Sequence, residues 1–504
     1  MPSDGRPKER SEDSWLFGLG GRNGVGVQRT TLVSESELAV GQLYRPPTGR
    51  VGKFLNTAGE NLRSPEPTGW SRNVAWFARG SGISLAVSLL GQAVQLGTVV
   101  LLTRVLGPAG FGLYAVGMSV VKLLAQLALV GMHNGMVRFI PDMAQSGRWS
   151  SVRTTVRVGL LVSGSVSVFV SVALFSIADL AARHILNEPD LASVLRMCSL
   201  GLPGIVMLHL AAHTCRAMRR MGRFAVLEYA GWQIPFILFA GLSLALGFQL
   251  AGVLFSFVLA AGGTAILAWL GLRRWLPTGT EGRVDELGFG RLVAFGIPVM
   301  LTGVGVLTLT TSDRLILARF WGPEFVGIYD TAAHLAVKLS IVLAAVSNAF
   351  APLISSLHEQ ADIAGLHRAV QTAGRWATGL SLPAFLVFLL YPELVLSLFG
   401  QSFKEGAPVL RVLAASQLIN VLVGPVGYAL VMTGRQKVEA VNTGFLVLVN
   451  LGLNLILVPK HGPLGAAVAT GISITVVNLL RLVEVRTFYG VWAVSYTHLT
   501  LPTN

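Results

Sequence analysis

Charge is scarce in this chain: Asp, Glu, Lys and Arg make up 13% of its 504 residues, where a soluble domain carries about 25%. With 52% hydrophobic residues and a mean hydropathy of +0.63, that scarcity excludes a soluble globular fold and indicates a membrane protein. Acid is the scarcer sign, with 25 Asp and Glu against 39 Lys and Arg, a net charge of +14. The basic surplus sits in short loops between apolar runs, where it reports topology, and no basic, aromatic groove suggests nucleic acid as a partner. Cysteine is nearly absent. Cys198 and Cys215 share one apolar stretch and cannot build a disulfide framework.

Several catalytic and metal signatures are missing too. No G-x-x-x-x-G-K-[ST] is present, which excludes ATP-driven transport by this chain itself. No span carries a recognisable nucleophile, base and orienter, so an enzyme is not expected, nor a cofactor. His209 and His213 stand four apart, but no acid accompanies them as in H-E-x-x-H. The HEQAD at His358 lacks the second histidine, and no metal site is expected.

What the chain does have is long apolar segments. Residues 1–75, mixed in charge and without an apolar period, read as a disordered basic cytoplasmic extension or the product of a misplaced start, and not as a signal peptide. From Gly82 onward, segments of about 20 residues recur, the length a membrane-spanning helix needs. Their centres lie near Gln92, Lys122, Val168, Pro203, Phe236, Leu259, Gly303, Val342, Pro383, Val421, Val447 and Ile472, giving twelve spans. The loops after even-numbered spans hold 18 Lys and Arg, and the opposite set holds 6: Arg104, Arg183, Arg319, Lys404, Arg411 and Lys460. That asymmetry predicts a cytoplasmic N-terminus and cytoplasmic even loops. The final stretch, 494–504 (VSYTHLTLPTN after Ala493), resembles translated sequencing adaptor and is set apart from the fold.

One phrase is written twice: RVLGPAGFGLY at Arg104–Tyr114 and RFWGPEFVGIY at Arg319–Tyr329, 215 positions apart. In each, Gly-Pro stops one helix, a glycine (Gly112, Gly327) keeps the next close to a neighbour, and a tyrosine suits the membrane interface. The phrase reads as a tight turn that marks a repeat. MGR at Met221 and TGR at Thr433, 212 apart, support that repeat. Six spans is an even number, so the halves share one orientation. The expected fold is therefore all-α and integral to the membrane: an N-lobe over 76–280 and a C-lobe over 281–493, parallel repeats around a central cavity.

The stretch FGIPVMLTGVGVLTLTTSDRLILARFWGPEFVGIYDTAAHLA, followed by APLISSL, LSLFGQSFKEGAPVLRVLA, TGRQK and LNLILVPKHGPLGAAVAT, resembles the polysaccharide-export flippases. These are the Wzx-like branch of the multidrug/oligosaccharidyl-lipid/polysaccharide exporter superfamily. The resemblance covers about residues 80–493 and implies a MATE-like fold working by alternating access. Members commonly have fourteen spans, so two further C-terminal helices are expected beyond the twelve. The implied substrate is an oligosaccharide on a polyprenyl pyrophosphate, carried across the bacterial cytoplasmic membrane. Glycosyltransferases and a polymerase of the same pathway are the implied partners, alongside membrane lipid. A multidrug exporter of the same superfamily is the alternative reading, and a membrane glycosyltransferase or polymerase a lesser one.

Such a substrate calls for a cationic, wet cavity, which directs attention to charges inside spans. Lys122 lies eight residues past Tyr114 and Lys338 nine past Tyr329, roughly 12–14 Å along each helix. Both are cavity candidates, though one residue out of register, which turns a helix by about 100°. Gln92 and Gln95 could bond sugar hydroxyls or another helix. Arg138 in GMVRFIP matches a basic family position and could meet pyrophosphate on entry. Asp313-Arg314 in TSDRLIL matches a recurrent family pair and is a gate candidate; as sequence neighbours on a helix, each should have its own partner. Glu228 is a candidate for a coupling proton, with an ion pair to nearby arginines as the competing role. A proton or sodium counter-ion stays open, since the membrane potential alone favours outward movement of an anion by about 2.3 kcal/mol per charge per 100 mV.

Overall fold

The computed structural model describes the backbone of residues 69–275 and 289–490. The terminal stretch 494–504 and most of the 1–75 extension fall outside the described residues, and Gly69 already begins the first helix. The described residues are helical almost throughout: α1 (Gly69–Ala128), α2 (Met132–Gln145), α3 (Trp149–Leu180), α4 (Leu191–Ala217), α5 (Met221–Ala225), α6 (Gln233–Ala245) and α7 (Gln249–Trp275). They continue with α8 (Phe289–Trp321), α9 (Pro323–Glu359), α10 (Ile363–Leu390), α11 (Pro392–Ser397), α12 (Ala407–Val423), α13 (Val426–Met432) and α14 (Gln436–Tyr489).

Ten helical stretches among the described residues are long and apolar enough to cross a membrane. Two of them are double crossings. Ala86–Ala128 runs 43 residues and α14 runs 54, about 65 and 80 Å of helix against a hydrocarbon core of about 30 Å. Each breaks at a glycine that leaves helical geometry just before a proline: Gly107 at φ 67°, ψ −177°, and Gly462 at φ 56°, ψ −136°. Glycine tolerates positive φ, and the following proline can only start a helix, so Gly-Pro makes a corner within an otherwise continuous helical run. Counting both halves of each broken helix recovers the twelve expected crossings.

The core of the first lobe forms where α4 packs on α3 and α7, with α6 against α7. In the second, α14 packs on α8 and α12, and α9 on α10 and α12. Small residues permit these approaches, which is how helices associate where lipid offers no hydrophobic drive. Large apolar side chains such as Leu161, Phe169, Leu267 and Leu448 are more than 70% exposed, the lipid-facing exterior of a membrane protein.

The repeated phrase does more than turn the chain. Gly112 lies against the backbone of Pro323, and Gly327 against that of Pro108; a Cβ built on Gly112 would sit 1.7 Å from the Pro323 carbonyl oxygen, and one on Gly327 2.1 Å from that of Pro108. The two copies are therefore each other's partners, a reciprocal glycine seam between the lobes. Arg104, which opens the first copy, donates through Nε to the Leu398 carbonyl at 2.7 Å across the same seam. The tyrosines correct the interface expectation. Tyr329 is 1% exposed and donates to Asp313 Oδ2 at 2.6 Å, while Tyr114 stacks on Phe236 at 6.1 Å along the cavity wall. Beyond the far end of α1 the lobes meet again between α2 and α8, with Gly131, which precedes α2, against the Gly296 backbone and Phe139 edge-on to Phe295 at 5.6 Å.

Candidate functional site: a cationic cavity between the lobes

A cavity of about 570 Å³ lies between the two contact zones, lined by both lobes. The repeat lays out its walls. The first lobe contributes Ala115, Met118, Ser119 and Lys122, and the second contributes Asp330, Ala333, His334 and Val337. Each set occupies positions i, i+3, i+4 and i+7, one helical face, and the sets coincide when one is shifted by the 215-residue repeat.

Lys122 opens into this space. It sits mid-span, is exposed, and makes no hydrogen bond or ion pair among the described residues. Arg314 and Asp330 also line the cavity and are ion-paired with each other; Asp330 is further approached by His334 Nε2 at 3.4 Å. With histidines neutral, two cations against one carboxylate leave the lining at about +1, and Lys122 is the cation without a counter-charge.

Lys338, expected like Lys122 to face the cavity, is not part of its lining. The repeat equivalent of Lys122 is Val337, and Lys338, one residue on, turns away from the cavity lining. Its Nζ donates to Gln92 Oε1 at 2.6 Å and Gln95 Oε1 at 3.3 Å. Three of the predicted residues thus meet in one contact across the lobes. Gln95 also reaches the cavity lining, and Arg138 stands exposed on α2 outside it.

Asp313 and Arg314 do have separate partners. Asp313, 3% exposed, accepts from Tyr329, from Asn454 Nδ2 at 2.7 Å and from Thr470 Oγ1 at 3.0 Å, all within the second lobe. Its satisfied carboxylate holds α8, α9 and α14 together, whereas Arg314 turns to the cavity.

Glu228 departs from the expected arginine pairing. It lies on a π-helical segment, Val226–Gly231, and its carboxylate is 3.2 Å from His209 Nδ1. The sequence reading expects no metal because no acid adjoins the histidine pair in the chain. The fold supplies that acid from the neighbouring span, and the ligand atoms of His209, His213 and Glu228 lie within 4.8 Å of one another.

Sequence reasoning missed Asp330 and His334, the acid and histidine of the cavity wall. Their signal was available: shifting the Ala115–Lys122 face by the repeat length lands on Asp330 and His334.

Among the described residues, twelve crossings in two repeated lobes, with a cavity between them that holds Lys122, Arg314 and Asp330, define a multi-pass membrane protein of the two-lobed transporter architecture. A family model described as "Polysaccharide biosynthesis protein" matches residues 77–358, and one described as "MatE" matches 298–456. The first covers more than half of the chain, and the chain belongs to that polysaccharide biosynthesis family.

Among curated relatives, a Shigella flexneri protein named for O-antigen transport is 28% identical over 194 residues, 38% of this chain and 46% of that protein. The succinoglycan biosynthesis transport protein ExoT of Rhizobium meliloti (strain 1021) is 24% identical over 353 residues, 69% of this chain and 66% of ExoT. The chain thus spans less than half the length of the O-antigen relative.

Among solved structures, an inward-facing multidrug transporter of the MATE family superposes with a TM-score of 0.69 at 14% identity, covering 81% of this chain and 98% of that one. The lipid II flippase MurJ, in an inward closed conformation, gives 0.64 at 12% identity, covering 80% and 87%. At these identities the likeness establishes the shared fold.

Proposed function

We propose that this chain is a flippase for a lipid-linked oligosaccharide, moving a polyprenyl-diphosphate glycan from the cytoplasmic to the outer leaflet by alternating access. The observation that carries the reading is Lys122, an uncompensated cation facing a cavity shared by both lobes. A mid-membrane lysine is costly unless it faces water or a partner, and an anionic head group is such a partner. The O-antigen and succinoglycan relatives support the same class of cargo.

Export of cationic drugs is disfavoured by the lining. Its one carboxylate, Asp330, is already neutralised by its ion pair with Arg314, and His334 Nε2 approaches it at 3.4 Å. The arginine and lysine distribution supports a bacterial cytoplasmic membrane location with the N-terminus in the cytoplasm. Transport without a chemical step fits a cavity built for binding, and pathway glycosyltransferases would supply its substrate.

The test in cells is complementation. Expressed in a bacterium whose own glycan flippase is deleted, the chain is expected to restore surface polysaccharide; a strain that gains only drug tolerance would count against the glycan reading.

A further inference from the structure

The histidine cluster beside the cavity is not needed for an anion site. His209 and His213 lie one turn apart on α4, so both imidazoles project from the same helical face. Glu228 comes from the π-helical segment of the next span, a geometry that often re-aims side chains at functional sites. The His213 Nδ1 lies 3.0 Å from the His209 carbonyl oxygen. A carbonyl only accepts, so Nδ1 carries the proton and Nε2 keeps its lone pair, the arrangement in which a backbone carbonyl orients a ligating imidazole.

A third histidine adjoins the group. His133, 7% exposed, packs edge-on against the His213 ring at 4.9 Å, and its Nδ1 is buried without a hydrogen-bond partner. A buried nitrogen left unpaired is unfavourable, and a cluster of imidazoles around one carboxylate is an expensive arrangement within a membrane unless something binds there.

We propose that His209, His213 and Glu228 form a binding site for a divalent transition-metal ion of the zinc class, with His133 beside it. Two neutral imidazoles and one carboxylate are the donor set that zinc takes with its fourth position open. Bonds of about 2.0–2.1 Å in a tetrahedron place ligand atoms roughly 3.4 Å apart. The ligand atoms, now within 4.8 Å of one another, would draw closer on binding to reach that spacing. His209 also lines the central cavity, so the cluster adjoins that space. The bound ion ties α4 to the following span across its π-helical segment, and the carboxylate leaves a residual charge of +1. This site does not depend on which molecule the protein transports.

The experiment uses the full chain in detergent, its affinity tag removed and its metal stripped by chelation, titrated with Co²⁺ and followed by visible absorption. One equivalent of Co²⁺ is expected to bind in a tetrahedral environment and to be displaced by Zn²⁺. His213→Ala and Glu228→Gln should each weaken binding about tenfold or more, because each removes one of three ligands, whereas His367→Ala leaves it unchanged. Glu228→Gln preserves shape, so together with His209→Asn it decides the matter should His213→Ala fail to elute as folded protein. Absence of stoichiometric binding, or binding that survives these substitutions, overturns the site.

Discussion

Replacing Gly112 by alanine is expected to pry the lobes apart at the repeat seam. The new Cβ would fall 1.7 Å from the Pro323 carbonyl oxygen, and backbone, unlike a flexible side chain, cannot rotate out of the way. Overpacking of this kind costs about 1–3 kcal/mol. Charged against the closed seam alone, that shifts the equilibrium between closed and open seams about 5- to 150-fold. The readout is a cysteine placed at Ser119, 3% exposed on the cavity wall, in a background lacking Cys198 and Cys215. A membrane-impermeant maleimide added on the seam side should label it faster in the Gly112→Ala protein, while transport slows. Gly327→Ala, reciprocal in the structure, should behave alike. Unchanged labelling in both would mean that the seam does not govern access.

Removing the charge at Lys122 should leave folding intact and impair transport. An isolated lysine at mid-membrane depth costs about 2.5–3.5 kcal/mol on insertion scales, so Lys122→Ala relieves a cost and should not lower the unfolding temperature. A hydrogen bond to a charged group is worth about 1.5–3 kcal/mol, and its loss should reduce the initial transport rate about tenfold or more. Lys122→Arg, which keeps the charge, should retain most of the activity. Rates normalised to reconstituted protein check this, and a fully active Lys122→Ala protein would remove the cation from the account. Lys338→Ala should act differently, since it breaks a bond to Gln92 and Gln95 between lobes rather than a contact with the cavity lining.

The twelve crossings are legible in the amino-acid sequence because bilayer thickness imposes a length and the Gly-Pro corners at Gly107 and Gly462 mark where continuous helix must break. The repeat is legible as well, from one phrase written twice. Its meaning is not, since helical periodicity shows that Gly112 approaches something closely without showing that its neighbour is the other copy of itself. Lys122 is recognisable as a cavity residue from its depth, and the one-residue offset of Lys338 already signals a different face. Asp330 and His334 escape a reading that searches for charges singly, because their place in the wall emerges only when the face of one lobe is mapped onto the other. Glu228 is singled out by its depth, but its pairing escapes for a related reason: its partner His209 lies 19 residues away on another span, beyond the reach of any local motif.

The central claim is that the cavity carries an anionic, lipid-linked glycan across the bilayer. Its most direct test is translocation in proteoliposomes containing the purified chain and a fluorescent oligosaccharide on polyprenyl diphosphate, with leaflet position read by an impermeant quencher. The account predicts protein-dependent movement between leaflets that is lost with Lys122→Ala and is not competed by cationic dyes. Movement of a cationic dye in place of the glycan, or glycan movement indifferent to Lys122, would contradict it.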